Sequence, residues 1–314
     1  MPSRVHILVL NHNGRALLEQ CLPSIVDCAR RADRCCRVTV VDNDSTDDSI
    51  QIVQRRWPDV DVMSLPNAYL TSFNEAVRRI GEPIVLLLNN DVKLAAGCVD
   101  RLAETIEQRP DCFLASPLCF TFDGRYEGTL SELSFRRGLV HTRLVQPSGT
   151  SLTEGTRFTA SAGAVLAVDR AKFMALGGFD SLYLPGRYED LDLAYRGWLS
   201  GWTACFVPGA VAWHMGRATF GPRWGDRIAE LDARNALLFA WKNLRSPAHW
   251  ASHLTFLAAR VLWSMATGRV SFLRGLAGAI GRLPHVVRSR GRSMPRARTE
   301  AELFRNLSAE ALGC

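Results

Sequence analysis

Through its first 120 residues the chain alternates short runs of β-branched residues and leucine with helix-like segments, and this periodicity limits the fold more than any other feature. The runs cover 5–10, 38–42, 60–65, 84–88 and 112–119. Leu17, Leu18, Cys21, Leu22, Ile25 and Val26 recur at helical spacing after the first run, as do Val99, Leu102, Ala103 and Ile106 before the last. Strands joined by amphipathic helices predict βαβ units around a mostly parallel α/β sheet. Pro23 argues against an unbroken first helix, because its ring removes one helical hydrogen bond.

The character changes between 120 and 158, where the turn signals Asp123-Gly124 and Pro147-Ser148-Gly149 flank alternating segments such as 140–145. This stretch reads as a hairpin or a mobile insertion. Beyond it, 164–168 and 205–213 read as strands, the second with Pro208 at an edge or bulge. Residues 170–176 read as a short helix ended by Gly177-Gly178, and 189–199 as an amphipathic helix. With 314 residues, 47% hydrophobic and 22% charged, the chain fits one large folded domain with an extension.

Charge separates the two. The net +7 conceals eleven basic and no acidic residues in 241–298, which leaves −4 on the rest. A body coated in positive charge for nucleic acid is thereby disfavoured. The nine cysteines include no C-x-x-C pair, which fits reduced thiols better than a zinc site or a disulfide framework. The apolar stretch before Asn11 is too short for a signal peptide, and no segment reaches the ~18 uninterrupted apolar residues of a spanning helix.

Polar clusters follow several of the strands. One strand runs into Asp42-Asn43-Asp44-Ser45-Thr46-Asp47-Asp48-Ser49, where Ser45 or Thr46 can cap a helix with Asp47 and Asp48 in its first turn. Capping leaves Asp42 unexplained, and a carboxylate at the carboxyl end of a parallel strand lies where open α/β sheets bind ligands. The strand 84–88 ends in Asn89-Asn90-Asp91, a costly placement unless the oxygens are used, and Asp91 can offer a hard ligand to Mg2+ or Mn2+. Glu189 and Asp190 open the helix 189–199, either as partners of its dipole or as a general base toward a hydroxyl. His214, after the last strand, is either structural or an imidazole ligand, and a mixed O/N site leans toward Mn2+.

In order, the chain carries Asn11-His12-Asn13-Gly14, VVDNDSTDDS at 40–49, LLLNND at 86–91, SAGAVLAVDRAKFMALGGFD at 161–180, YEDLDLAYRGW at 188–198 and VAWHMG at 211–216. It resembles the inverting family 2 glycosyltransferases, in the branch that includes rhamnosyltransferases and galactofuranosyltransferases. The resemblance implies a GT-A fold, an αβα sandwich with a mostly parallel central sheet. Residues 1–120 would form the nucleotide-sugar-binding half and 121–240 the acceptor-binding half of the catalytic domain, with 241–314 as a basic amphipathic helical extension. By position, Asp42 would hold the nucleoside, with Asn11, Asn13 and Asn67 close to it. Asn89, Asn90 and Asp91 would replace the D-x-D motif, with Asp91 on the metal, Mn2+ or Mg2+, and His214 as the late metal ligand. Asp190, beside Glu189, would be the catalytic base, and Gly163, Asp180 and Trp198 would face the acceptor. Relatives carry N-x-G-F-x-x-G-N where this chain has Asn67-Ala68-Tyr69-Leu70-Thr71-Ser72-Phe73-Asn74, so larger side chains are expected to reshape the sugar-nucleotide pocket.

The reaction implied is transfer of a sugar from a nucleoside-diphosphate sugar to a hydroxyl of a glycan or lipid-linked saccharide, in cell-envelope polysaccharide synthesis. In the tail, Trp and Phe interleave with arginines over 249–298, which suits an anionic membrane surface and predicts a cytoplasmic protein, peripheral on the inner face of the cell membrane. The competing reading is a set of ordinary helices packed on the catalytic domain. A nucleotide-sugar-binding protein without turnover, or a membrane or nucleic-acid binder acting through the tail, remain as other classes. Nucleic acid is disfavoured by the lack of interleaved base-stacking motifs. A dinucleotide oxidoreductase is disfavoured because no G-x-G-x-x-G follows the first strand.

Overall fold

The structure is a computed structural model that describes residues 2–146, 157–161, 163–216, 227–292 and 294–308. The expected turn at Pro147-Ser148-Gly149 lies outside the described residues.

β1 (Val5–Asn11), α1 (Arg15–Arg30), β2 (Cys36–Asn43), α2 (Ser49–Arg56), β3 (Asp61–Leu65), α3 (Ser72–Arg79) and β4 (Ile84–Asn89) are the βαβ units that the periodicity predicts. There follow β5 (Val92–Leu94), α4 (Cys98–Gln108), β6 (Cys112–Thr121) and β7 (Tyr126–Gly128). The stretch read as a hairpin or insertion contains a hairpin of β8 (Ser131–Arg136) and β9 (Leu139–Leu144). Then come β10 (Arg157–Phe158), β11 (Val165–Asp169), α5 (Arg170–Ala175), α6 (Glu189–Leu199) and β12 (Thr203–His214).

The main sheet has the order β10-β12-β6-β11-β4-β1-β2-β3. β1 to β4 are parallel, and β11 runs antiparallel between β4 and β6. Because side chains alternate along a strand, Val5, Ile7, Val9, Ile84, Leu86 and Leu88 pack under α1 and α4. Leu8, Val85 and Leu87 point to the opposite layer, with α3, α5 and α6. Two apolar cores on one sheet give the expected αβα sandwich.

Two local expectations change. α1 runs unbroken through Pro23, because Leu18, Cys21, Leu22, Ile25 and Val26 bury its face on both sides of the proline. That burial outweighs one lost bond, whose carbonyl belongs to the partly exposed Glu19. α2 starts only at Ser49, and neither Ser45 nor Thr46 caps it. The Asn13 Oδ1 takes the N–H groups of Thr46 (2.7 Å) and Asp47 (3.2 Å), and so holds that stretch as a loop.

The carboxyl-terminal helices are α7 (Arg227–Asn243), α8 (Pro247–Thr267), α9 (Val270–Ile280), α10 (Leu283–Gly291) and α11 (Glu300–Asn306). α7 passes through the expected boundary at 240, burying Leu237, Leu238, Phe239 and Ala240 in the core shared with α6. Among the described residues, six of the ten arginines in 241–298 donate to backbone carbonyls. Arg245, Arg290 and Arg296 reach the last carbonyls of α7, from Trp241 to Leu244, which have no helical partner. Arg282 reaches Leu182 and Leu184, Arg298 reaches Trp198, Gly201 and Trp202, and Arg260 reaches Arg137. Much of the tail's positive charge is therefore part of the packing.

Candidate active site

The chain leaves β1 toward β2 on one side and returns to β4 on the other, so the carboxyl ends of β1 and β4 open a crevice at a switch point. The register sets Asn11 opposite Asp42, and Leu10 opposite Asn89, at this edge. Asn11 is fully buried; its Nδ2 donates to the Ser45 and Ser49 hydroxyls (3.2 and 3.0 Å), and its Oδ1 accepts from Asn90 Nδ2 (2.8 Å). Together with Asn13, these amides form the crevice wall. Gly14 is needed there, since a Cβ would lie 2.0 Å from Asn90 Nδ2. Asp42 is 7% exposed and accepts the Ser45 N–H on one oxygen (3.3 Å).

The departure at 67–74 has a structural form. Asn67 is exposed and accepts the Tyr69 N–H (3.0 Å). Asn43, which the motif reading passed over, ties the segment to β2: it accepts from Ala68 N (3.2 Å) and donates to the Tyr69 carbonyl (3.3 Å). Tyr69 stands at the first glycine of the relatives' pattern, and its φ of 52° is the left-handed conformation that glycine adopts most easily. Its side chain is 47% exposed at the rim. Phe73, at the second glycine position, is buried 6.4 Å from the Phe179 ring, and Asn74 holds the Phe179 backbone in both directions (2.8 and 2.9 Å).

Just past β4 lies Asp91, 3% exposed. Pairing of β5 with β12 brings His214 back to it. His214 Nε2 lies 3.2 Å from Asp91 Oδ1, and its Nδ1 lies 2.8 Å from Glu127 Oε1 on β7. Burial alone would lower the imidazole pKa, but hydrogen bonds to the Asp91 and Glu127 carboxylates outweigh it and push it up to about 9. A carboxylate and an imidazole converge, with a second carboxylate fixing the ring from behind, as in metal sites whose histidine is oriented by an acid. Once the imidazole gives up its Nε2 proton, which an ion at Asp91 would displace, this donor set fits Mn2+ or Mg2+ with two protein ligands. Among the described residues no group of three or more His, Cys, Asp or Glu could hold an ion, so diphosphate or water would supply the remaining ligands.

The third component is the start of α6. Asp190 accepts the Leu191 N–H on Oδ1 (2.8 Å) and the Gly163 N–H on Oδ2 (3.4 Å). Gly163 has φ 74°, and the carbonyl of the next residue, Ala164, accepts the Asn89 N–H (3.4 Å). One two-residue loop thus links the end of β4 to the Asp190 carboxylate. Burial, reinforced by the Asp190 charge, pushes Glu189 up to about 8, and burial raises Asp190 as well. Glu189 Oε2 is buried with no hydrogen-bond partner among the described residues.

Asp180 and Trp198 are not brought to this crevice. Trp198 is 2% exposed, its indole N–H donating to the Thr159 carbonyl (3.0 Å). Asp180 binds Lys242 Nζ (2.7 Å) and caps Leu182 N (2.9 Å). Beside it Asp192, fully buried, takes Lys242 (2.8 Å), Arg196 (2.7 Å), Tyr183 (2.8 Å) and Asn243 (2.9 Å). Burial opposes its charge, but the Lys242 and Arg196 cations outweigh burial and hold the carboxyl well below the ordinary range. Asn235 donates to the Tyr183, Gly186 and Arg187 carbonyls, which pins the loop leading into Glu189. Sequence reasoning missed this cluster and Glu127. The available signals were the third acid in the YEDLD string and the single lysine of 241–298.

Residues 6–158 match the family model for glycosyl transferase family 2. The N-acetylglucosaminyl-diphospho-decaprenol L-rhamnosyltransferase of Mycobacterium tuberculosis is 29% identical over 280 residues, covering 80% of this chain and 89% of that protein. Staphylococcal (S. aureus) TarS 1-349, solved with UDP-GlcNAc, superposes with a TM-score of 0.54 at 16% identity, over 97% of this chain and 90% of that one. GalNAc-T7, solved with UDP, GalNAc and Mn2+, gives 0.56 at 17% identity over 68% of this chain, which spans 44% of that protein. The two structural likenesses establish the glycosyltransferase fold.

Proposed function

We propose, for a chain that belongs to glycosyl transferase family 2, that it moves a sugar from a nucleoside-diphosphate sugar to a hydroxyl of a lipid-linked saccharide, with inversion at the anomeric carbon. The observation that carries this reading is the 163–164 loop, which hydrogen-bonds Asp190 through one residue and Asn89 through the next. It sets a half-buried base beside the crevice that would hold the donor.

Asp42 would accept hydrogen bonds from the nucleoside, within the wall that Asn11, Asn13 and Asn90 build. Asp91 and His214 would hold Mn2+ or Mg2+, with Glu127 fixing the histidine tautomer. The ion would supply Lewis-acid stabilisation of charge on the leaving diphosphate. Asp190 takes the proton of the acceptor hydroxyl, whose oxygen attacks the anomeric carbon from the side opposite the leaving group. Because burial raises its pKa, Asp190 is a stronger base than an exposed carboxylate once ionised. The Gly163 N–H keeps it aimed.

The likeness to the mycobacterial N-acetylglucosaminyl-diphospho-decaprenol rhamnosyltransferase, aligned over 89% of its length, supports an acceptor carried on a polyprenyl diphosphate. The same reading assigns the chain to cell-envelope polysaccharide synthesis, peripheral on the inner face of the cell membrane. A thermal-shift panel of UDP, dTDP and GDP sugars, with and without Mn2+, tests it. One nucleotide class should raise the melting temperature, more so with Mn2+; no shift with any of them would overturn the donor pocket.

A further inference from the structure

α8 is polar where it is buried and apolar where it is wet. Its two buried residues are His253 and Ser264, and His253 is fixed by the Gly138 carbonyl (2.7 Å) and the Trp241 indole N–H (2.9 Å). Every exposed position from 254 to 266 is Leu, Thr, Phe, Ala, Trp or Met. Leu262, Met265, Leu254 and Trp263 are 68, 66, 56 and 50% exposed. At about 100° per residue these positions sweep roughly half of the helix surface, so the apolar face is continuous. A helix packed on a water-soluble body shows the reverse arrangement, and contiguous exposed apolar surface marks a site of contact.

Along the chain the charge beside this face is one-sided, and the acid that touches α8, Glu300, is buried against His249 (2.6 Å). Arg269, just past the end of α8, stacks on the Trp263 ring at 4.0 Å. No Asp or Glu occurs from 241 to 299. None of the described helices is long and apolar enough to cross a membrane. An indole with a guanidinium on its face, beside leucine and methionine, has the chemistry of an interfacial helix rather than a spanning one.

We propose that the outer face of α8 docks on an anionic lipid bilayer. The helix lies along the surface, with Leu254, Leu262 and Met265 at the acyl boundary, Trp263 at headgroup level and Arg269 on a lipid phosphate. This deepens the proposed function by naming the surface that delivers a lipid-linked acceptor, and it rests on that reading only for the acceptor. A second copy of the chain fits this face less well, because a two-fold contact would set two acid-free faces against each other with like charge uncompensated.

Flotation of the intact chain with phosphatidylcholine vesicles, and with vesicles containing phosphatidylglycerol, tests the proposal beside the variant Leu262→Ser/Trp263→Ser/Met265→Ser. The parent should partition onto the anionic vesicles at least 10-fold more than onto the neutral ones. The variant should lose at least 10-fold of that binding while keeping its melting temperature. No flotation of the parent, or a variant that floats as well as the parent, would overturn it. So would a dimer of the parent that the variant converts to monomer without any change in flotation. Donor-nucleotide thermal shifts, measured on both proteins, keep the two readings apart. Lost flotation with unchanged shifts confirms docking independently of catalysis, whereas absent shifts in both proteins count against the transferase reading alone.

Discussion

Glu189 and Asp190 put two carboxyls side by side in a half-buried place, and their cost is readable as pH dependence. Glu189 titrates near 4.5 in a free chain and at about 8 in the fold, so the fold favours its protonated form. The resulting stabilisation is complete below pH 4.5 and gone above pH 8. Glu189→Gln cannot ionise, so at pH 9 it should melt a few degrees above the parent and at pH 4 at the same temperature; thermal unfolding at both pH values checks this. Glu127 works through His214 by geometry. Glu127→Ala should weaken Mn2+ binding, measured calorimetrically with nucleotide present, by about 10- to 100-fold. An unchanged affinity would remove Glu127 from the site. Neither effect was legible in the sequence: Glu127 sits in a three-residue strand within a stretch that carries no motif, and only the return of β12 brings His214 to it.

At the scale of elements, the strands announced themselves because apolar runs buried on both faces leave few alternatives. Strand ends were legible for the same reason, since polar residues such as Asp42 and Asn89 interrupt those runs abruptly. The anchoring of α6 was not. Lys242 counts as one more basic residue in sequence, yet it is 2% exposed and pairs with Asp180 and Asp192, 62 and 50 positions away. Lys242→Met should cost about 3–5 kcal/mol, because two carboxylates lose their buried cation. A surface lysine would cost within about 0.5 kcal/mol. Urea unfolding separates the two, and a small loss would mean that the Asp180–Lys242–Asp192 cluster does not hold α6. Trp198 shows the converse limit: its place in the motif drew an acceptor role, while its burial and its bond to Thr159 assign it to packing.

Over the whole molecule, the division into a mildly acidic body and a basic tail describes composition better than it describes surfaces. Arginines that close the end of α7 and the carbonyls near 182–184 and 198–202 act as structural donors, and the exposed apolar face of α8 is what remains for a partner. Charge counts could not show this, because a guanidinium on a carbonyl and one in water look alike in sequence. The sheet, by contrast, gathers the motif residues: Asn11 and Asp42, Asp91 with His214, and Asp190 stand at the carboxyl edge of β1, β2 and β4 or on the loop beside it. Everything proposed for this edge turns on Asp190 as the base of a sugar transfer. Its most direct test is Asp190→Asn, assayed for transfer and for donor binding with the nucleotide sugar that stabilises the parent. With Asp190 as the base, turnover should fall by ~10²- to 10⁴-fold while donor affinity stays within about twofold of the parent. Turnover near that of the parent would contradict it.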